Sequence, residues 1–167
     1  MESSGPSPKQ LFILKYQCQS YKGTPEVFMV ERNALKLTLA GRAPMEVVEV
    51  SQVIPEAVRH FYRGALLAQH VGQTLAGNFL LRTVIEQWAR VVTTKAGKLQ
   101  EEMKADEVID AYMELLPAYF RNAFESMRAL YGELSADIHC ATGSEELFGK
   151  ASQQIERHFD VRRLFKL

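Results

Sequence analysis

The stretch YFRNAFESMRALYGELSADIHC, residues 119–140, decides the fold class. Phe120, Phe124, Met127, Tyr131, Leu134 and Ile138 recur at steps of three and four, one stripe of an α-helix, which predicts a helix over 119–140. The same period extends on both sides. A helix is predicted over 55–70, with Pro55 suited to a first turn and Val58, Phe61, Tyr62, Ala65 and Gln69 on one face. Another is predicted over 74–94, with Leu81, Val84, Ile85, Trp88, Val91 and Val92 on its stripe and Gly97 as its stop. A shorter helix is predicted over 105–115, ended by Pro117. After Gly143 a last helix carries Phe148, Ala151, Ile155 and Phe159 on its stripe. Its start has capping-box spacing at Thr142 and Glu145, and less aptly at Ser144 and Leu147. Glu145 and Glu146 open it and Arg157, Arg162, Arg163 and Lys166 close it, an order that suits the helix dipole.

Before residue 54 the period changes from helical to alternating. Leu11 to Tyr16, Val27 to Val30, Leu35 to Leu39 and Val47 to Val50 read as four short strands, separated by turn signals such as Lys22-Gly23-Thr24-Pro25. Such a meander is too small to be stable alone. The expected fold class is therefore α+β, mainly α: an antiparallel helical bundle of four to five helices with a small N-terminal antiparallel β-meander. The expected layout is a disordered leader over 1–10, the meander over 11–53 packed on the bundle, and the bundle over 54–167.

The 167 residues carry 20 Lys+Arg against 20 Asp+Glu, so the formal charge is zero. A neutral total argues against a dedicated duplex-DNA binder, whose affinity rests on neutralising phosphates. It conceals polarity, because acidic residues gather at Glu101, Glu102, Asp106, Glu107 and Asp110 and basic ones at the end of the chain. The two cysteines, Cys18 and Cys140, form neither a disulfide framework nor a zinc-ligand pair. No signal peptide and no apolar span of membrane length is present, so a cytoplasmic protein is expected. His-Glu-x-x-His, a phosphate-cradling glycine loop and a magnesium-binding acidic cluster are all missing, so neither metal nor cofactor is expected.

Three constellations remain. Arg82, Glu86 and Arg90 follow one another at i+4, with Arg82 and Glu86 at the edge of an apolar stripe. Arg128, Ser135 and His139 lie with Arg121 on one shoulder of the 119–140 stripe, and the i+4 spacing lets Ser135 meet His139. Arg63 and His70 share a face of the 55–70 helix, and an Arg with a His is the minimum for metal-independent RNA cleavage. Ser135 is mid-helix without a nucleophile elbow, and Asp137 points to another side of the helix from His139. Arg82, Glu86, Ser135 and His139 are expected to form one polar cluster between two helices, with Arg128 beside it. Any catalytic candidate would come from His139, Ser135, Arg63 and His70.

Asn78-Phe79-Leu80-Leu81-Arg82-Thr83-Val84-Ile85-Glu86, followed by Tyr131-Gly132-Glu133-Leu134-Ser135-Ala136-Asp137-Ile138-His139, resembles a bacterial family of unknown function placed among the HEPN domains (higher eukaryote and prokaryote nucleotide-binding). The resemblance takes in Leu37 to Arg42 and the closing His158 to Phe165. It implies a helical bundle, often dimeric, similar to components of restriction, toxin–antitoxin and phage-defence systems. Active HEPN ribonucleases carry an Arg shortly before a His late in the bundle. Here Leu134 and Ser135 stand where that Arg is expected ahead of His139, and Arg63 with His70 lies in the first long helix. That departure implies a non-catalytic interaction or dimerisation domain of a conflict system, with a homodimer or a protein as partner. Two alternatives stay open: a metal-independent HEPN-type endoribonuclease with RNA as ligand, and a structural domain of a larger protein.

Overall fold

The computed structural model describes residues 9–17, 25–42, 48–100, 102–124 and 126–166. The chain divides into two compact units, 1–47 and 48–167. The expected leader lies outside the described residues as far as residue 8, and Cys18 and Glu101 lie outside them as well.

The first unit holds a three-stranded antiparallel sheet, β1 (Gln10–Tyr16), β2 (Glu26–Asn33) and β3 (Lys36–Arg42), in the order β1-β2-β3. Ala34 at the β2–β3 turn takes a positive φ of 55°. β1 pairs with β2 without a break, from Gln10 opposite Arg32 to Tyr16 opposite Glu26. The β2–β3 register shifts between Met29 and Val30, leaving Ala40 as the extra residue of a bulge. Of the expected fourth strand, residues 48–50 have no strand geometry and Val47 lies outside the described residues. Residues 48–54 belong instead to the helical unit. Ile54 is fully buried, with Val50 and Val53 partly buried against the same core, and Arg59 donates to the Ile54 carbonyl at 2.9 Å.

The second unit holds six helices among the described residues: α1 (Glu56–His70), α2 (Thr74–Lys95), α3 (Ala105–Leu115), α4 (Ala118–Ala123), α5 (Met127–His139) and α6 (Glu145–Leu164). α2 is the hub, touching α1, α3, α5 and α6. Its stripe residues Leu81, Val84, Ile85 and Ala89 are buried, together with Val58 and Tyr62 of α1, Tyr131 and Leu134 of α5, and Ile155 and Phe159 of α6. Each large apolar side chain removed from water in this way contributes about 1.5–3 kcal/mol. Gly77 lets α6 approach, since a Cβ there would lie 2.8 Å from the Phe148 ring.

The predicted helix over 119–140 is two helices. Phe124 turns extended at φ −128°, and Ser126 caps α5 by accepting the Arg128 N–H at 3.2 Å. In the sequence the apolar spacing runs on from Phe124 to Met127 across the break, which is why periodicity alone reads it as continuous. The count thus rises from four or five helices to six. At α6 the cap is Ser144, whose hydroxyl accepts the Leu147 N–H at 3.1 Å, rather than Thr142.

Candidate functional site

Leu81, Val84 and Ile85 on α2 and Tyr131 and Leu134 on α5 turn into the core. The positions at the edges of those stripes, Arg82 and Ser135, therefore meet at the seam between the two helices. Arg82 Nε donates to Ser135 Oγ at 2.9 Å, and Arg82 Nη2 donates to the Tyr131 hydroxyl. The guanidinium carbon lies 4.6 Å from the Tyr131 ring centroid, close enough for cation–π attraction. Ser135 in turn donates to the Tyr131 carbonyl at 2.8 Å, the back-bond a mid-helix serine commonly makes. A cleft of about 400 Å³ opens beside this seam, lined also by Lys104 and Asp106 at the start of α3 and by Arg128, Gly132 and His139 of α5.

The charges in the cleft are not equally engaged. Arg128 is bound by Asp106 at 3.2 Å and Asp110 at 3.0 Å, a partly exposed cluster that ties α5 to α3. Arg82 has no carboxylate within ion-pair distance among the described residues, although it is partly buried. The Lys104 and His139 side chains make no hydrogen bond among the described residues. The Tyr131 phenol is raised above its usual range, first by loss of solvent and further by the charges of Glu86 and Asp106, against the lowering effect of Arg82. It therefore keeps its proton at neutral pH.

The expected cluster of Arg82, Glu86, Ser135 and His139 forms in part. Arg82 and Ser135 are bonded, and His139 lines the same cleft. Glu86 instead takes Arg90 of its own helix, accepting from Nε at 3.1 Å and Nη2 at 3.0 Å. Ser135 directs its hydroxyl to Arg82 and Tyr131, and its hydrogen bonds do not include His139. Arg63 and His70 are exposed on α1, and neither lines the cleft.

Two buried polar groupings are absent from the sequence reading. In the first, the Tyr112 hydroxyl accepts from Arg162 Nη1 at 2.6 Å and Trp88 Nε1 at 3.3 Å and donates to His158 Nε2 at 2.6 Å. Burial, followed by the Arg162 charge, lowers the His158 pKa from 6.5 to about 3, so the imidazole is neutral and its Nε2 is free to accept. In the second, Asp137 accepts the Asn78 amide at 2.8 Å and the Ser144 N–H at 3.0 Å, and Asn78 also donates to the Ser144 carbonyl at 3.2 Å. This clamp holds the α5–α6 turn, where Ala141 and Gly143 take positive φ, against α2. The signal for His158 was its place beside the α6 stripe, three residues after Ile155; nothing in the pattern marks Asn78.

Among the described residues no group of three or more His, Cys, Asp or Glu is placed to hold a metal ion, and no helix is long and apolar enough to cross a membrane. Comparison of the chain with family models, with curated proteins and with solved structures finds no match in any of the three.

Proposed function

We propose that the helical unit is a non-catalytic interaction domain of a bacterial or phage conflict system, and that it takes an anionic group of a protein partner into the Arg82 cleft. The observation that carries this reading is the state of Arg82. Its guanidinium is held by Ser135 and Tyr131, it faces a 400 Å³ cleft, and no carboxylate lies within ion-pair distance of it among the described residues. A guanidinium fixed in this way is pre-organised for a carboxylate, because little side-chain entropy is left to lose on binding. Lys104 and the Tyr131 O–H add two further donors. Ser135 is the support that aims Arg82, a role that competes with service as a nucleophile. In this reading the chain falls in with the HEPN-like domains that it resembles at 78–86 and 131–139, on their non-catalytic side.

One observation favours the endoribonuclease as a second reading: His139 shares the cleft with Arg82 and Lys104. A His beside two cations could move a proton while they hold a phosphodiester. Incubation of the protein with single-stranded and structured RNA in EDTA separates the two. The interaction reading expects intact RNA, together with binding of a Glu-rich peptide that Arg82→Ala abolishes. Cleavage that disappears in His139→Ala overturns it in favour of the enzyme.

A further inference from the structure

An anion entering the cleft between α2, α3 and α5 meets Arg82, Lys104 and His139. The first two side chains are charged throughout the neutral range, whereas an imidazole ordinarily exchanges its proton near pH 6.5. His139 is exposed, is the last residue of α5 and makes no hydrogen bond among the described residues.

The groups that face His139 come from three helices. α2 contributes Arg82, with Glu86 turned away to Arg90. α3 contributes Lys104 and Asp106, and Asp106 is engaged together with Asp110 on Arg128. α5 itself contributes Arg128 and the phenol of Tyr131. Asp137, two residues before His139, is buried and taken by Asn78 and Ser144. α6 meets α5 through Lys150 on Glu133 and supplies no described residue to the lining. Three cations, Arg82, Lys104 and Arg128, thus stand against two carboxylates, Asp106 and Asp110, and both carboxylates are spent on Arg128.

A proton on His139 in the empty cleft is opposed by Arg82 and Lys104 and favoured by the carbonyl end of α5. An anion seated among these side chains offsets the opposition and gives the imidazolium a partner, so guest and proton favour each other. Such linkage is reciprocal: the factor by which the proton tightens the guest is the factor by which the guest tightens the proton.

We infer that filling of the Arg82 cleft is coupled to protonation of His139, so that the cleft takes a carboxylate of its protein partner more tightly as the pH falls through the imidazole range. The inference rests on the reading of the cleft as a carboxylate site and adds to it that His139 sets the pH at which the site fills.

Binding of a Glu-rich peptide between pH 6 and pH 8 tests it, because glutamate carboxylates stay ionised across that window. The wild type is expected to bind at least about fivefold more tightly at pH 6 than at pH 8. His139→Gln is expected to bind weakly at both, and His139→Lys, charged throughout, tightly at both. By reciprocity, the His139 ring signals followed by NMR are expected to titrate at a higher pH when the peptide is saturating. Binding that Arg82→Ala abolishes but that is equally tight at pH 6 and pH 8 overturns this inference and leaves the reading of the cleft standing. A pH dependence that persists in His139→Gln overturns it too, by assigning the proton to another group. A peptide that binds at neither pH overturns the reading of the cleft and this inference with it.

Discussion

Tyr112 and Tyr131 are alike in one respect: each phenolic oxygen accepts an N–H from an arginine, Arg162 in one case and Arg82 in the other. Each arginine also lies against an aromatic face, Arg162 at 5.3 Å from the Trp88 ring centroid and Arg82 at 4.6 Å from that of Tyr131. A histidine accompanies each pair. The surroundings then diverge. Around Tyr112 the space left between side chains is only about 10 Å³, and His158 is buried and neutral. Around Arg82 it is about 400 Å³, and His139 is exposed. The same residue types hold a core together where the packing closes over them and line an open cleft where it does not. What separates the two is whether a donor is left over. Tyr112 gives its proton to His158, whereas Tyr131 and the far side of Arg82 have no acceptor of their own among the described residues.

The contrast is broken most severely from the closed side. His158→Ala removes a buried ring and leaves the Tyr112 hydroxyl without its acceptor, so a loss of about 3 kcal/mol of unfolding free energy is expected in urea denaturation. A loss under about 1 kcal/mol would mean that the Tyr112 grouping is not structural. Acid gives the next effect. The unfolded chain protonates His158 near 6.5, the folded chain only near 3, so between those values the unfolded state holds the extra proton. His158 therefore contributes stability above about pH 6.5 that is lost as pH falls towards 3. Relative to His158→Gln, the wild type should lose stability by up to about 1.4 kcal/mol per pH unit in that window. Parallel pH curves for the two proteins would show that burial does not hold the imidazole neutral. The open side is the mildest. Ser135→Ala should cost less than about 1 kcal/mol in stability, since Arg82 can turn to water, yet weaken binding of a Glu-rich peptide by freeing the guanidinium. Equal binding by Ser135→Ala would remove Ser135 from its supporting role.

Much of the fold was legible because burial follows period. The apolar positions of α2 and α3 recur cleanly enough that Ala105–Leu115 falls at its expected bounds, and α2 closes one residue later than expected. The break before Ser126 was hidden because Phe124 and Met127 keep the helical phase across it. The seam between Arg82 and Ser135 was legible for the same reason as the helices: both sit at stripe edges on helices that pack together. Glu86 shares that edge, but an arginine one turn away on its own helix holds it. Asn78 and Asp137 pair across 59 positions of chain, and such a contact leaves no trace in local spacing. Exposed apolar residues on β3 followed the alternation that predicts a strand, whereas the side on which that alternation would find its cover is a matter of tertiary and quaternary packing.

The central claim, that Arg82 is held ready for an anionic guest while Arg162 is consumed by the core, is tested most directly by NMR of the arginine Nε–H signals during titration with a Glu-rich peptide. The expected result is a saturable shift of the Arg82 signal, with His139 ring signals moving in step and Arg162 unmoved. An Arg82 signal that stays in place through the titration, or one that moves no more than that of Arg162, contradicts the claim.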